Sequence, residues 1–215
     1  MMAEAKRGVY VFDLDGTLVD SMPYFTRGIL SIPDEEGVSY GDDLIKILTP
    51  LGYVKGAEYY VNVMGIRDSV EHIVERITEK LVFEYSNNIR LKAGVGDYLR
   101  RLHSEGARLF VLTASPHTVT DICLQRNGVY DLFEQVWSVE DFGLSKSDTR
   151  IFFEVAERIG CEPSQVHYFD DSLIALGNAG KAGYDTYGVL DAHTEDEIAR
   201  MQTLARHYVP TFEVL

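Results

Sequence analysis

The chain has 215 residues, enough for one ordinary domain or for a core of about 150 residues with a smaller inserted domain. Apolar residues make up 46% and charged residues 25%, a balance typical of folded globular proteins rather than disordered chains. The formal net charge of -14 would repel polyanions, so neither nucleic acid nor an anionic membrane is expected as a partner. Any small anionic ligand must therefore be held by local positive groups.

The sequence also carries signals about the compartment. Its apolar runs are far shorter than the roughly 20 residues that span a bilayer, and the amino terminus lacks the apolar segment of a signal peptide. We therefore expect a cytoplasmic protein. Cys123 and Cys161 stand far apart without neighbours at metal-ligand spacing, which predicts two small buried residues rather than a disulfide.

Buried strands are predicted where short apolar runs end in polar or glycine-rich segments. The first run covers residues 8–13, and similar runs cover residues 108–113, 135–138, 166–170 and 185–189. Segments with helical spacing separate these runs. Strands that alternate with helices predict the α/β class, with a Rossmann-like parallel sheet as the core.

Residues 21–91 interrupt this alternation, because they carry helical patterns without a convincing buried strand. Their helices are predicted at residues 24–31, 42–49, 57–64 and 69–87. We therefore expect a small helical cap domain, inserted into a core domain that comprises residues 1–20 and 92–215.

Two carboxylates follow the first predicted strand, in the segment Asp13-Leu14-Asp15-Gly16-Thr17. The two-residue period of a strand lets Asp13 and Asp15 approach one point while Leu14 turns away, and Gly16 permits a sharp turn. Such close charges are costly unless a cation or a proton separates them. A bound Mg2+, with Asp13 as a nucleophile and Asp15 as a proton carrier, would meet this need. A solvated turn is the alternative.

The second predicted strand ends in Thr113-Ala114-Ser115 and leads into a helix. A hydroxyl, backbone N–H groups and the positive end of a helix dipole can together bind a phosphate. Ser115 followed by Pro116 also has the pattern of a helix N-cap with a first-turn proline. The two roles are compatible.

Lys146 and the pair Asp170-Asp171 complete the set of candidate polar groups. Lys146 lies in a loop ahead of a predicted helix, where its charge could neutralise a phosphoryl group, although most loop lysines are simply solvated. Adjacent acids at a strand end suit a hard cation, with one direct ligand and one acting through water; an N-cap with a solvated neighbour is the alternative. Ligands of parallel sheets bind beyond the carboxyl ends of the strands, where all four segments fall.

Taken together, these four segments resemble the haloacid dehalogenase superfamily over residues 9–189. The members most similar in pattern are those like beta-phosphoglucomutase and phosphoglycolate phosphatase, which have a helical cap of the first type. The resemblance implies an Mg2+ held by Asp13, the backbone carbonyl of Asp15, and the acidic pair. Either acid of the pair could be the direct ligand, and Asp171 is favoured, with Asp170 in the outer shell.

The resemblance also implies the remaining roles. Asp13 would be the nucleophile and Asp15 the general acid and base. The phosphoryl oxygens would contact Thr113, Ala114, Ser115 and Lys146. Less specific candidates for contacts with the substrate are Tyr24, Arg27, Lys55 and His117, for which packing or solvation is the alternative.

These expectations combine into a magnesium-dependent phosphatase that acts on a small phosphorylated metabolite through an aspartyl-phosphate. A phosphomutase of the beta-phosphoglucomutase type, which would transfer the phosphoryl group to a second sugar phosphate, is the main alternative. A catalytically silent binding or regulatory domain is another, since fold alone does not fix function. The sequence leaves the substrate and the oligomeric state open.

Overall fold

The computed structural model describes residues 8–48, 51–191 and 195–215. The chain forms two compact units. One comprises the chain up to Asp20 together with Arg90–Leu215, and the other comprises Ser21–Ile89. The first is called the core unit below and the second the helical unit. The assignment of residues 21–91 as a separate cap domain stays a proposal.

The core unit is built on a six-stranded sheet whose paired strands are all parallel. Its strands are β1 Val9–Phe12, β2 Arg108–Thr113, β3 Gln135–Ser138, β4 Val166–Asp170, β5 Asp185–Val189 and β6 His207–Val209. Their order is β3-β2-β1-β4-β5-β6. The order reverses at β1, which pairs with β2 on one side and β4 on the other, and such a reversal is where ligands bind in open α/β sheets. The predicted α/β class with a Rossmann-like sheet is confirmed.

The helical unit contains four described α-helices. They are α1 Met22–Glu35, α2 Leu44–Leu48, α3 Gly52–Asn62 and α4 Val70–Asn87. Four side chains at helical spacing on α4 are buried in this unit, namely Ile73, Ile77, Leu81 and Tyr85. Burying each of these side chains stabilises the fold by about 1.5–3 kcal/mol relative to leaving it in water.

Some predicted helix bounds in the helical unit were wrong. The first helix runs on past Ser31 through Pro33 to Glu35. Pro33 cannot donate to the carbonyl of Ile29, but the Tyr60 hydroxyl donates to that oxygen at 2.7 Å. A contact from another helix therefore satisfies the group that a proline leaves open. The third helix runs over Gly52–Asn62 rather than over residues 57–64, and residue 49 of the second predicted helix lies outside the described residues.

Five further helices alternate along the chain with the strands of the core unit. They are α5 Val95–Ser104, α6 His117–Arg126, α7 Arg150–Ile159, α8 Leu173–Ala182 and α9 Glu195–Leu204. In the core between α7 and the sheet, Phe152, Tyr168 and Tyr184 pack edge to face, with ring centroids 5.2 to 6.1 Å apart. Cys123 is buried as predicted, whereas Cys161 is only partly buried because it packs at the margin of the core; both thiols are free.

Candidate active site

The first polar loop follows β1 and holds Asp13 and Asp15. The backbone N–H of Asp13 still donates to the carbonyl of Phe169 at 2.8 Å, so the sheet pairing continues through this residue. The chain then turns tightly, because the N–H groups of Leu18 and Val19 both donate to the carbonyl of Leu14, at 2.8 and 3.0 Å. Leu14 is fully buried, which anchors the loop and leaves the two carboxylates on its polar side.

Gly16 brings this loop against the acidic pair of β4. Its φ is 74°, a conformation that glycine adopts without strain. A Cβ atom at this position would lie only 2.7 Å from Oδ2 of Asp171. The hydroxyl of Thr17 lies 3.4 Å from Oδ1 of the same carboxylate. A glycine is therefore required for the two segments to approach this closely.

Three carboxylates converge beside this turn. Asp13, Asp170 and Asp171 each offer an oxygen, and these oxygens lie within 4.8 Å of one another. The ammonium group of Lys146 donates to Oδ1 of Asp13 and, at 2.9 Å, to Oδ2 of Asp170. Its side chain is only 12% exposed. Three sequence-predicted acids and the predicted lysine are thus brought together at the carboxyl ends of β1 and β4.

The charges in this cluster are unbalanced. Burial, reinforced by the charges of Asp170 and Asp15 against the opposing effect of Lys146, raises the pKa of Asp13 to about 7. Burial, then the charges of Asp170 and Asp13, raise the pKa of Asp171 well above its ordinary value. Burial alone would lower the pKa of Lys146, but the neighbouring charges of Asp13 and Asp170 raise it. One ammonium therefore faces three carboxylates, and an oxygen-liganded divalent cation fits both this charge excess and these donors.

Asp170 is held by three donors. Its Oδ2 accepts from Lys146 and from the hydroxyl of Tyr168, and its Oδ1 accepts from the backbone N–H of Ser172 at 2.7 Å. Burial, followed by the charges of Asp170 and Asp13, raises the pKa of Tyr168 well above its ordinary value, so the hydroxyl remains a donor. Tyr168 was not predicted from the sequence. The signal was its spacing, since residues two apart in a strand share one face.

The second predicted segment contributes a contact to Asp15. The Ser115 hydroxyl donates to Oδ2 of Asp15 at 2.6 Å, and its backbone N–H donates to Oγ1 of Thr113 at 3.0 Å. Thr113 is buried, whereas Ala114 is exposed. Helix α6 begins at His117 with Pro116 as its N-cap, so the predicted N-cap role of Ser115 was wrong. The Ser115 hydroxyl instead donates to the carboxylate of Asp15, in the loop that follows the neighbouring strand β1.

The loop that carries Lys146 is fixed by another residue that was not predicted from the sequence. The side-chain amide of Asn178, on α8, donates to the backbone carbonyl of Lys146 at 3.1 Å. Its Oδ1 accepts from the hydroxyl of Thr149 at 3.1 Å. These hydrogen bonds fix the backbone position of Lys146 and thus the direction from which its side chain enters the cluster.

Lys92 binds the backbone of the loop after β1, and it was also not predicted from the sequence. Its ammonium donates to the backbone carbonyls of Gly16 and Leu190, the second at 2.8 Å, and lies 2.7 Å from Oδ1 of Asp191. No spacing rule links residues 16, 92 and 190, so only the fold could bring them together.

The less specific predicted contacts have other neighbours. In the helical unit, the Tyr24 hydroxyl lies 3.4 Å from the carbonyl of Asn88, the Arg27 guanidinium stacks over the Tyr24 ring at 4.6 Å, and Lys55 is exposed. In the core unit, the ring nitrogens of His117 lie 2.9 Å from Asp141 and 3.3 Å from Asp121.

The effect of these neighbours on His117 is electrostatic. The hydrogen bond to Asp141 raises its pKa, which burial partly opposes and Asp121 reinforces. Substrate roles for all four of these residues stay predictions.

Comparison with known proteins identifies the family. A family model described as haloacid dehalogenase-like hydrolase matches residues 10–189. The chain belongs to this family. The superfamily inferred from the four segments is therefore confirmed. Among the described residues, none of the helices of this haloacid dehalogenase-like hydrolase combines the length and apolar character needed to cross a bilayer.

Two curated relatives of this hydrolase are named as phosphatases. A phosphorylated carbohydrates phosphatase of Thermotoga maritima is 25% identical over 84% of this chain and 84% of its own length. A phosphoglycolate phosphatase of Haemophilus influenzae is 28% identical over 82% of this chain and 84% of its own length. The predicted enzyme class, a phosphatase of the haloacid dehalogenase type, is confirmed.

A solved structure shows the shared fold. A Thermotoga maritima protein described as a beta-phosphoglucomutase superposes with a TM-score of 0.83 at 24% identity, covering 97% of this chain and 96% of its own. The sheet and the inserted helices are therefore common to both chains.

Proposed function

We propose that this hydrolase is a magnesium-dependent phosphatase for a small phosphorylated metabolite, which works through an aspartyl-phosphate on Asp13. The observation that carries this proposal is the buried cluster of Asp13, Asp170 and Asp171 around Lys146, with Asp15 held beside it by Ser115. This arrangement combines a nucleophile, a proton carrier, a cation and an excess of oxygen ligands at one end of the sheet.

The residues that would hold Mg2+ are Asp13, the backbone carbonyl of Asp15, and Asp171, with Asp170 in the outer shell. When bound, the ion would offset the charge of the carboxylates and of the phosphoryl oxygens. Lys146 already stands between two of these acids and would also attract the anionic substrate. Thr113 and the backbone N–H groups of the next two residues are proposed to contact the remaining phosphoryl oxygens.

The chemical steps are assigned to two carboxylates. A carboxylate oxygen of Asp13 attacks phosphorus, and the bond from phosphorus to the leaving oxygen breaks while Asp15 donates a proton to that oxygen. Asp15 then takes a proton from water, whose oxygen attacks phosphorus. Inorganic phosphate leaves, and the carboxylate of Asp13 is restored. The Ser115 hydroxyl holds Asp15 in place for both proton transfers.

The substrate class is proposed from the relatives. Their names refer to phosphorylated carbohydrates and to phosphoglycolate, which are small phosphate monoesters. We propose that the helical unit Ser21–Ile89 is the cap of this family and that its side chains select among such esters. A panel of phosphorylated metabolites, assayed in parallel, would identify the preferred one.

Removing the metal is expected to stop the reaction. With a chromogenic aryl phosphate, EDTA should lower turnover by about 100-fold or more, and added Mg2+ should restore it. Turnover that persists unchanged in EDTA would contradict the proposal. Silence in this assay, together with conversion of a sugar phosphate in the presence of a bisphosphate primer, would indicate a mutase. Silence throughout would indicate a binding domain.

Replacing Ser115 with alanine is expected to lower kcat by about 10-fold, with little change in KM. The reason is that the variant removes the donor that orients Asp15, while the other groups of the site remain. Steady-state kinetics with the aryl phosphate measure both constants. Ser145→Ala, which removes an exposed hydroxyl from the lysine loop, is the control and should behave as wild type. Equal kinetics for Ser115→Ala and wild type would rule out the positioning role.

A further inference from the structure

Tyr168 is a buried residue that none of the assigned roles uses. Its side chain is fully buried in the core, yet its hydroxyl donates to Oδ2 of Asp170. The ammonium of Lys146 lies 2.9 Å from the same oxygen, and the Ser172 N–H lies 2.7 Å from Oδ1. The tyrosine thus connects the core directly to an acid of the site.

The neighbouring Tyr184 shows what a purely structural tyrosine does here. It is also fully buried, and its ring packs against Tyr168 with a centroid distance of 6.1 Å. Its hydroxyl donates at 2.6 Å to the backbone carbonyl of Phe152, which is a neutral acceptor away from the acids. Tyr168 donates instead to a carboxylate, and hydrogen bonds to ionised acceptors are the stronger kind.

The donors around Asp170 restrict what this acid can do. An ionised carboxylate has about four lone-pair positions on its two oxygens. Three donors approach Asp170, and both oxygens take part. If the hydroxyl of Tyr168 were absent, Oδ2 would keep only Lys146 among these donors, and the carboxylate could rotate towards a cation.

We propose that Tyr168 is a positioning residue of this site, whose hydroxyl locks the Asp170 carboxylate in the outer shell and thereby fixes Lys146 against Asp13. The inference rests on the proposed function, because it concerns the same metal and the same lysine. It assigns to a core tyrosine the task of keeping one acid of the pair away from direct coordination.

The test is Tyr168→Phe, which removes one oxygen atom and leaves the aromatic packing. Mn2+ binding, followed by electron paramagnetic resonance without substrate, should tighten by about 10-fold, because the released Asp170 carboxylate can rotate and coordinate the ion directly. With the aryl phosphate, kcat should fall by about 10-fold while KM changes by less than about 2-fold. Tyr184→Phe is the matched control, and its Mn2+ affinity and kcat should equal those of wild type.

Three results would overturn the inference. Wild-type Mn2+ affinity and kcat in Tyr168→Phe would mean that the hydroxyl merely has a hydrogen-bond partner in the core and does not position the site. Equal changes of Mn2+ affinity and kcat in Tyr184→Phe would mean that packing is responsible. If Tyr168→Phe also lowered kcat in an Asp170→Asn background, the tyrosine would not act through Asp170. The Mn2+ titration needs no turnover, so it decides the inference separately from the proposed phosphatase activity.

Discussion

Replacing Asp13 with asparagine (D13N) is expected to lower turnover of phosphate esters by about 10,000-fold or more, the size of effect seen when a covalent nucleophile is lost. The amide cannot attack phosphorus, whereas Lys146 and the other acids remain in place. Single-turnover and steady-state assays with the aryl phosphate measure this loss. D20N, which changes an exposed carboxylate at the end of the same loop, is the control.

The same variant is expected to be more stable than wild type when metal is removed. The pKa of Asp13 is about 7 in the folded chain, whereas an unfolded aspartate ionises near pH 4. Because the folded chain holds the proton more tightly, ionisation costs folding free energy between these values, and the full cost is present above about pH 7. D13N avoids this cost, although it also loses the ion pair with Lys146.

Thermal unfolding in EDTA measures this second effect. At about pH 8 the expected gain for D13N is on the order of 1 kcal/mol, and it should shrink towards about pH 5, where the wild-type carboxyl is increasingly protonated. Mg2+ should stabilise wild type more than D13N.

A D13N protein that hydrolyses the ester like wild type would end the nucleophile assignment. A D13N protein that is less stable than wild type at every pH would contradict the excess of negative charge in the cluster.

The core sheet could be predicted well because its strands are buried on both faces. The bounds predicted at 108–113, 135–138, 166–170 and 185–189 are those of β2 to β5, and most residues of these four strands are buried. The edge strand His207–Val209 was missed. It has three residues, only one of them buried, and its pairing with β5 rather than its own pattern defines it.

The candidate site could be predicted only in part. The positions of Asp13, Lys146 and the acidic pair followed from a general rule, that the carboxyl ends of parallel strands meet at one edge. Partners that depend on tertiary contacts did not follow. Ser115 has the local pattern of an N-cap, but the approach of Asp15, 100 residues away in sequence, offers its hydroxyl a charged acceptor instead.

Replacing Lys146 with methionine (K146M) is expected to have the opposite effect on stability from D13N. Methionine keeps much of the side-chain volume but removes the cation, so three buried carboxylates would face one another. Breaking a buried ion pair by removing one partner costs about 3–5 kcal/mol. Because the raised pKa of Lys146 keeps the ammonium charged, its stabilisation is fully present at neutral pH and is lost only as the pH rises through that pKa.

Thermal unfolding of K146M should therefore show a large loss of stability in EDTA and a substantial recovery in Mg2+, since the ion restores the charge balance. Turnover should stay about 100- to 1000-fold below wild type even with Mg2+, because the proposed contact of the lysine with the phosphoryl oxygens is lost. K181M is the control, since Lys181 is an exposed lysine on the nearby helix α8. Wild-type stability of K146M in EDTA would show that the acids are not held together by this cation. Opposite shifts in D13N and K146M would instead support a surplus of negative charge in the site, which a bound divalent ion would offset.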